Sequence, residues 1–282
     1  MIFLLLAIFT STLIILFFRL FTRFKVDNIT AITVNYLVAS VLGFWLSSGT
    51  HKIGEVFQQD GLFLAIGSGF LLMATFLIYA YSTQRSGVAI TSVSGKMSVI
   101  LPVLLGFIWY HEAVTWNKVP AILLALTAFV LILFKKGEKI KAVFYIFPVL
   151  LFFGNGLNDA LFKIAEEEFI QGEPVFFLAT AFTVSLFLGL VVLVIRAVSQ
   201  KKFPNGRSIL AGVVLGLLNW YSTYFFLEGL HFFDVSVFVP VFNASIVLLG
   251  AGLGFVIFKE KLKPLNWVGV VLALVAIALL AL

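Results

Sequence analysis

SGVAITSVSGKMSVILPVLLGFIWYHEAVTWNK, residues 86–118, decides how the rest of the chain is read. From Val88 to Tyr110 it is almost wholly apolar, long enough to cross a bilayer as one helix. Lys96 lies about a third of the way along and is the only Lys or Arg well inside an apolar run. A cation at that depth costs ~3 kcal/mol on insertion scales, so the ammonium is expected to face a cavity, a partner or a ligand rather than lipid. Ser92, one turn earlier, shares its face. Pro102 removes a backbone hydrogen bond and predicts a kink. Trp109, Tyr110, His111 and Glu112 read as an interfacial rim.

Working outward, the same pattern recurs. The 282 residues are 62% hydrophobic and only 11% charged, which no soluble domain of this size needs. Ten apolar runs fall near 1–18, 30–47, 61–81, 87–110, 117–134, 142–162, 174–196, 208–228, 234–258 and 264–282. Each is close to the ~20 residues a bilayer crossing takes. The first run, MIFLLLAIFTSTLIILFF, lacks the basic start and small-residue cleavage site of a signal peptide and is kept as a structural helix. The expected fold is therefore an all-α polytopic membrane protein with ten transmembrane helices.

The net charge of +6 does not point to nucleic acid, because the basic residues cluster at helix ends. Ends of odd-numbered helices carry 15 Lys or Arg, including Arg19, Arg85, Arg196 and Lys261, against three at the other ends, Lys52, Lys118 and Lys163. By the positive-inside rule both termini lie outside the cytoplasm of a multi-pass protein of the cell (inner) membrane. There are no cysteines, so disulfides and thiolate metal sites are excluded. His51, His111 and His231 all fall at loops, so no metal site is expected, and nothing calls for a cofactor.

The segment KKGEKIK, residues 135–141, separates two sets of five helices, 1–134 and 142–282. The sets resemble each other weakly. STLIILFFR in the first helix parallels NGLNDALFK in the sixth, with Arg19 against Lys163. At an offset of 148, Glu112 falls on Glu260 and Ser86 on Asp234. Because five is odd, tandem five-helix units run in opposite senses through the membrane. Inverted repeats of that kind place a substrate site near the midplane.

Ten short helices in two halves, with a fourth and a ninth helix that each run into an acidic residue and then a further helix, resemble the drug/metabolite transporter superfamily, and most closely its EamA-domain proteins. The resemblance covers nearly the whole chain. The family often has Gly-Glu after the fourth and ninth helices; here the pairs are His111-Glu112 and Lys259-Glu260. The resemblance implies a central cavity lined by helices 1–4 and 6–9, peripheral helices 5 and 10, and export or import of small polar metabolites.

Candidate ligand-binding residues are polar groups inside apolar runs. Lys96 suits an anionic group; the bland alternative is a fixed ion pair with Asp159, or snorkelling. In the sixth helix Asn155, Asn158, Asp159 and Lys163 share one stripe. The amides are expected to bond substrate and Asp159 to hold an amine or a coupling proton, unless Asp159 and Lys163 form a solvated pair. In the eighth helix Asn219 with Thr223, and Trp220 with Tyr224, offer an aromatic-amide wall, or else plain helix packing. Gly212 with Gly216, and Gly250 with Gly254, read as close packing. Asn243 in the ninth helix aligns with Gly95, beside Lys96, and Asn35 with Tyr36 interrupts the second helix.

These residues suggest a secondary transporter. A small polar metabolite with an anionic group, such as an amino acid, would cross by alternating access, in the export direction the family suggests. Its partners would be the small molecule, the bilayer and a coupling proton or counter-substrate. A lipid-headgroup flippase or channel is the alternative reading, with Lys96 and Lys163 against a phosphate. An intramembrane enzyme is weaker still, since the sequence has no HExxH, no GxSG and no second aspartate at membrane depth.

Overall fold

The computed structural model describes residues 1–47, 61–111, 116–134, 143–170, 174–230, 232–233 and 235–280. Among these residues eleven α-helices follow in order: α1 Ile2–Arg23, α2 Asn28–Ser47, α3 Leu62–Arg85, α4 Val88–Met97, α5 Ile100–Ile108, α6 Lys118–Leu133, α7 Val143–Ala165, α8 Pro174–Gln200, α9 Gly206–Leu230, α10 Val235–Val256 and α11 Pro264–Leu280. A π-helical turn, Glu166–Ile170, continues α7. Counting α4 and α5 as one interrupted span, eight segments among the described residues are long and apolar enough to cross a membrane; α6 and α11 are shorter apolar helices. The expectation of an all-helical polytopic protein holds. The linker 135–141, Glu112 and Asp234 lie outside the described residues.

The fourth span, Val88–Ile108, is present as expected, and its interruption lies ahead of Pro102. The span breaks at Ser98–Val99. Pro102 has no N–H to give the Ser98 carbonyl, four residues back. That carbonyl instead accepts from Leu101 N at 3.0 Å, and Ser98 Oγ donates to Gly95 O at 2.7 Å. The interruption thus starts one turn before the proline and two residues after Lys96.

The helices cluster into two compact units: Met1–Arg19, Ile78–Gly156 and Tyr221–Leu282 form the first, Leu20–Leu77 and Leu157–Trp220 the second. In lipid, burying leucine yields little, so helices associate through small residues, hydroxyls and shape. In the first unit α6 packs along α11 through Ala125, Ala128, Ala273 and Ala276, all fully buried. Asn266 begins that contact. Its Nδ2 donates to the Leu131, Ile132 and Phe134 carbonyls at 3.0–3.1 Å, satisfying the open end of α6, while its Oδ1 accepts from Lys263 N. A second layer joins Ala7, Ile8 and Ile15 of α1 with Phe238, Phe242 and Ile246 of α10.

In the second unit α2 and α8 are bonded by the Ser40 and Thr183 hydroxyls at 2.6 Å. Ser185 of α8 donates to Gly69 O of α3 at 2.7 Å. Gly212 and Gly216 of α9 pack on Ala31, Val34, Asn35 and Val38 of α2, the close approach their spacing suggests. The α2 start is held by Asp27, whose Oδ2 accepts from the Thr30 N–H at 2.9 Å and whose carboxylate takes both Arg196 nitrogens at 2.9 Å. Large apolar side chains such as Phe9, Phe63, Leu123 and Val191 remain exposed, as lipid-facing residues do.

Two stability predictions follow from these contacts. A Cβ at Gly269 would lie 2.9 Å from Ile132 N and 3.1 Å from Ala128 O, both rigid backbone. Gly269→Val is therefore expected to destabilise the purified protein by about 1–3 kcal/mol, seen as a lowered midpoint in thermal unfolding. Burial raises the Asp27 carboxyl, but its bonds to Arg196 and Thr30 and the Arg196 charge outweigh that and hold it below the ordinary aspartate value. A depressed carboxylate contributes stability above its unfolded pKa and loses it as pH falls through the lowered folded value. Wild type should therefore lose more stability than Asp27→Asn on acidification below ~3.9, the ordinary aspartate pKa.

Candidate functional site

The α3–α4 junction has almost no loop. Gly87 turns the chain with φ 107°, a value open to glycine, and α4 begins at Val88. Helix starts leave N–H groups without intrahelical partners. Here they are met from far along the chain: Glu260 Oε1 accepts from Val88 N at 2.6 Å and Oε2 from Ala89 N at 3.1 Å. A Cβ at Gly87 would stand 2.8 Å from that carboxylate, and one at Gly254 would stand 2.7 Å from Oε2. The two glycines make the socket.

Glu260 is aimed by the turn that ends α10. Lys259 adopts φ 52° and Glu260 N donates back to Gly254 O at 3.1 Å, a left-handed helix cap. His111, 148 residues earlier, has φ 50°. These are the positions where the resembled family often has glycine, and the backbone takes the glycine-type conformation at both. The position before each acidic residue thus has the same backbone conformation, which fits a two-repeat architecture.

The opposite side of the junction is closed by Arg19. Its Nη1 donates to the Thr83 and Gln84 carbonyls at 3.0 and 2.6 Å, capping α3, and its guanidinium lies 5.9 Å from the Phe258 ring centre. Ser82 and Thr91 join their hydroxyls at 2.8 Å inside the junction. The start of α4 is thereby fixed on two sides, while its other end, two residues past Lys96, is the break.

Within the first unit the structure brings several expected residues together. Lys96 is half-buried, with Nζ 4.6 Å from the Phe242 ring centre, a cation–π distance. Ser92 is fully buried, donates to Val88 O at 2.8 Å and packs against Gly250 of α10. Around Gly95 stand Asn155 and Tyr79: a Cβ there would meet Asn155 Nδ2 at 3.4 Å and the Tyr79 ring at 3.3 Å. Asn243 is buried beside Phe242, and Tyr224 is half-buried against Phe225. At the last turn of α4, Lys96 therefore lies against the Phe242 ring, and Asn155 and Tyr79 lie against the neighbouring Gly95. Tyr79 is the member the sequence reading missed; its position one helix before Lys96 carries no signal by itself.

The other expected residues belong to the second unit. Asn35 and Asn219 form an amide contact at 3.3 Å, and with its amide oriented to meet its neighbours Asn35 also donates to Leu215 O and accepts from Tyr36 N. That pair ties α2 to α9. Trp220 is buried against Gly43 of α2. The expected stripe on α7 is not uniform: Asn158 is half-buried, with Oδ1 enclosed and without a hydrogen-bond partner, whereas Asp159 is exposed. No group of His, Asp and Glu able to hold a metal occurs among the described residues.

Comparison with known proteins agrees with this architecture. An uncharacterized protein of Haemophilus influenzae is 27% identical over 256 residues, covering 88% of this chain and 86% of its own. A solved crystal structure of a protein superposes with a TM-score of 0.63 at 17% identity, covering 97% of this chain and 94% of the other, a likeness of fold. The profile of the EamA-like transporter family matches residues 1–134 and 141–282. The chain belongs to the EamA-like transporter family, and is a multi-pass membrane protein of transporter type.

The junction makes its own prediction. Glu260→Ala leaves two N–H groups of α4 unpaired, which should cost about 1–2 kcal/mol. Hydrogen exchange at the start of α4 in purified protein should rise in this variant, while exchange in α2 and α8 stays unchanged.

Proposed function

We propose that the protein is a secondary transporter that carries a small polar metabolite with an anionic group. Lys96 meets the anion, and Asn155 and Asn243 supply hydrogen bonds. The observation that carries this reading is the placement of Lys96 in the last turn of a half-helix, two residues before a backbone break. Broken helices mark substrate sites in secondary transporters, because freed backbone groups at membrane depth are tolerated where they line a cavity. The Phe242 ring lowers the cost of holding the ammonium there, and an ammonium is the natural partner of a carboxylate or phosphate.

The transport cycle is read as alternating access by two repeats, 1–134 and 142–282, joined by 135–141. Asn158 is a further candidate contact, since its enclosed oxygen is a ready acceptor for a ligand amine or hydroxyl. Asp159 is the candidate for a coupling proton. An amino acid would present its carboxylate to Lys96 and its amine to the side-chain oxygens of Asn155 and Asn243. Export is the proposed direction. The uneven spread of Lys and Arg puts the helix ends near Arg19, Arg85 and Lys261 in the cytoplasm and both termini on the far side.

Two experiments test this. A thermal-shift screen of purified protein against amino acids, sugars and phosphorylated metabolites identifies the ligand, since native-state binding raises apparent stability. With that ligand, Lys96→Gln in proteoliposomes should reduce flux about 10- to 100-fold, the value of a lost bond to a charged group. Unchanged flux would remove Lys96 from the site. For orientation, alkaline phosphatase fused after Leu282 should be active and a cytoplasm-only reporter silent; the reverse would invert the proposed sidedness.

A further inference from the structure

Beside the α3–α4 junction, on the outside of Glu260, lies a cavity of about 360 Å³ lined by Arg19, Arg85, Lys261, Lys263, the Ser86–Gly87 turn and Asn266. Four formal positive charges surround it against the single carboxylate of Glu260. One carboxylate against four cations leaves the lining formally positive. The cavity is thus built to attract an anion.

Its neighbour explains which anion. Leu262 also lines a second hollow of about 520 Å³, whose other walls are Pro264, Trp267, Val268, Val271 and Leu272 of α11, without a charged residue among them. Val268 and Val271 are exposed on the outer face of that helix. A basic recess at a helix end that shares one lining leucine with an apolar groove along the helix has the two-part chemistry of a phospholipid. The phosphate would sit among Arg85, Lys261 and Lys263, the Trp267 indole would lie at headgroup level, and an acyl chain would lie on Val268 and Val271. Arg19 is committed to the α3 carbonyls and lends its charge from behind them.

We infer that this composite site binds an anionic phospholipid at the basic face of the protein. Arg19 caps α3 at the junction and Glu260 ties the start of α4 to the α10–α11 connector, so an occupied site beside both would brace the start of the half-helix that carries Lys96. The inference does not depend on Lys96 binding substrate.

Native mass spectrometry of the purified full-length protein, with phosphatidylglycerol, phosphatidylcholine or inorganic phosphate added, tests it. Phosphatidylglycerol should be retained in preference to phosphatidylcholine. Lys261→Gln with Lys263→Gln should weaken retention about fivefold per cation removed, the factor for ~1 kcal/mol per basic residue at a membrane surface. Val271→Trp, which fills the groove, should weaken both lipids alike. If Val271→Trp does not fold, the exposed Lys261→Gln alone still decides the point. Equal retention of the two lipids, or no effect of the lysine changes, would overturn the proposal. Inorganic phosphate competing as strongly as phosphatidylglycerol would also overturn it, in favour of a site for soluble anions.

Discussion

The structure depends on a carboxylate holding the start of a helix. Glu260 reaches from the α10–α11 connector to the first two N–H groups of α4, at 2.6 and 3.1 Å, through a space that two glycines leave open. An anion at a helix N-terminus is favoured both by direct hydrogen bonds and by the helix dipole. The contact joins positions some 170 residues apart and sets the end of α4 against α10. With that end pinned and the other end interrupted at Ser98–Val99, Lys96 is carried on a ten-residue helix whose far end closes on a tighter turn, Leu101 N donating to Ser98 O.

Much of this fold is written in simple patterns. Apolar runs near bilayer length, and the even recurrence of basic helix ends, suffice for the order and number of spans. The glycine pairs of α9 and α10 announce close packing, and the structure places Ala31 and Val34 of α2, and Ser92 and Ala89 of α4, against them. Hydropathy could not show the break in the fourth helix, because Ser98 and Val99 are as compatible with a helix as their neighbours. The break depends on which carbonyl Pro102 leaves without a donor and on Ser98 Oγ finding Gly95 O.

The site was less legible, for a physical reason. Polarity inside an apolar run shows that a side chain must be satisfied, not what satisfies it. Asn35 meets that demand at the Leu215 carbonyl of α9 and the Tyr36 N–H, beside Asn219, while Asn158 keeps an enclosed oxygen without a partner. All three look alike in sequence. Glu260 stood out only as the counterpart of Glu112; that it caps α4 depends on a left-handed turn at Lys259, a residue whose type does not favour it. Tyr79 and Phe242, which frame the last turn of α4, are two aromatics among many and carry no periodic signal.

The central claim is that residue 96 faces water-accessible space that opens to each side in turn. The chain contains no cysteine, so a single Lys96→Cys change gives an unambiguous probe. Charged, membrane-impermeant thiol reagents should modify it from either side of reconstituted vesicles. A thiol at 96 that no aqueous reagent reaches, or that reacts from one face only with or without the metabolite, would contradict the account.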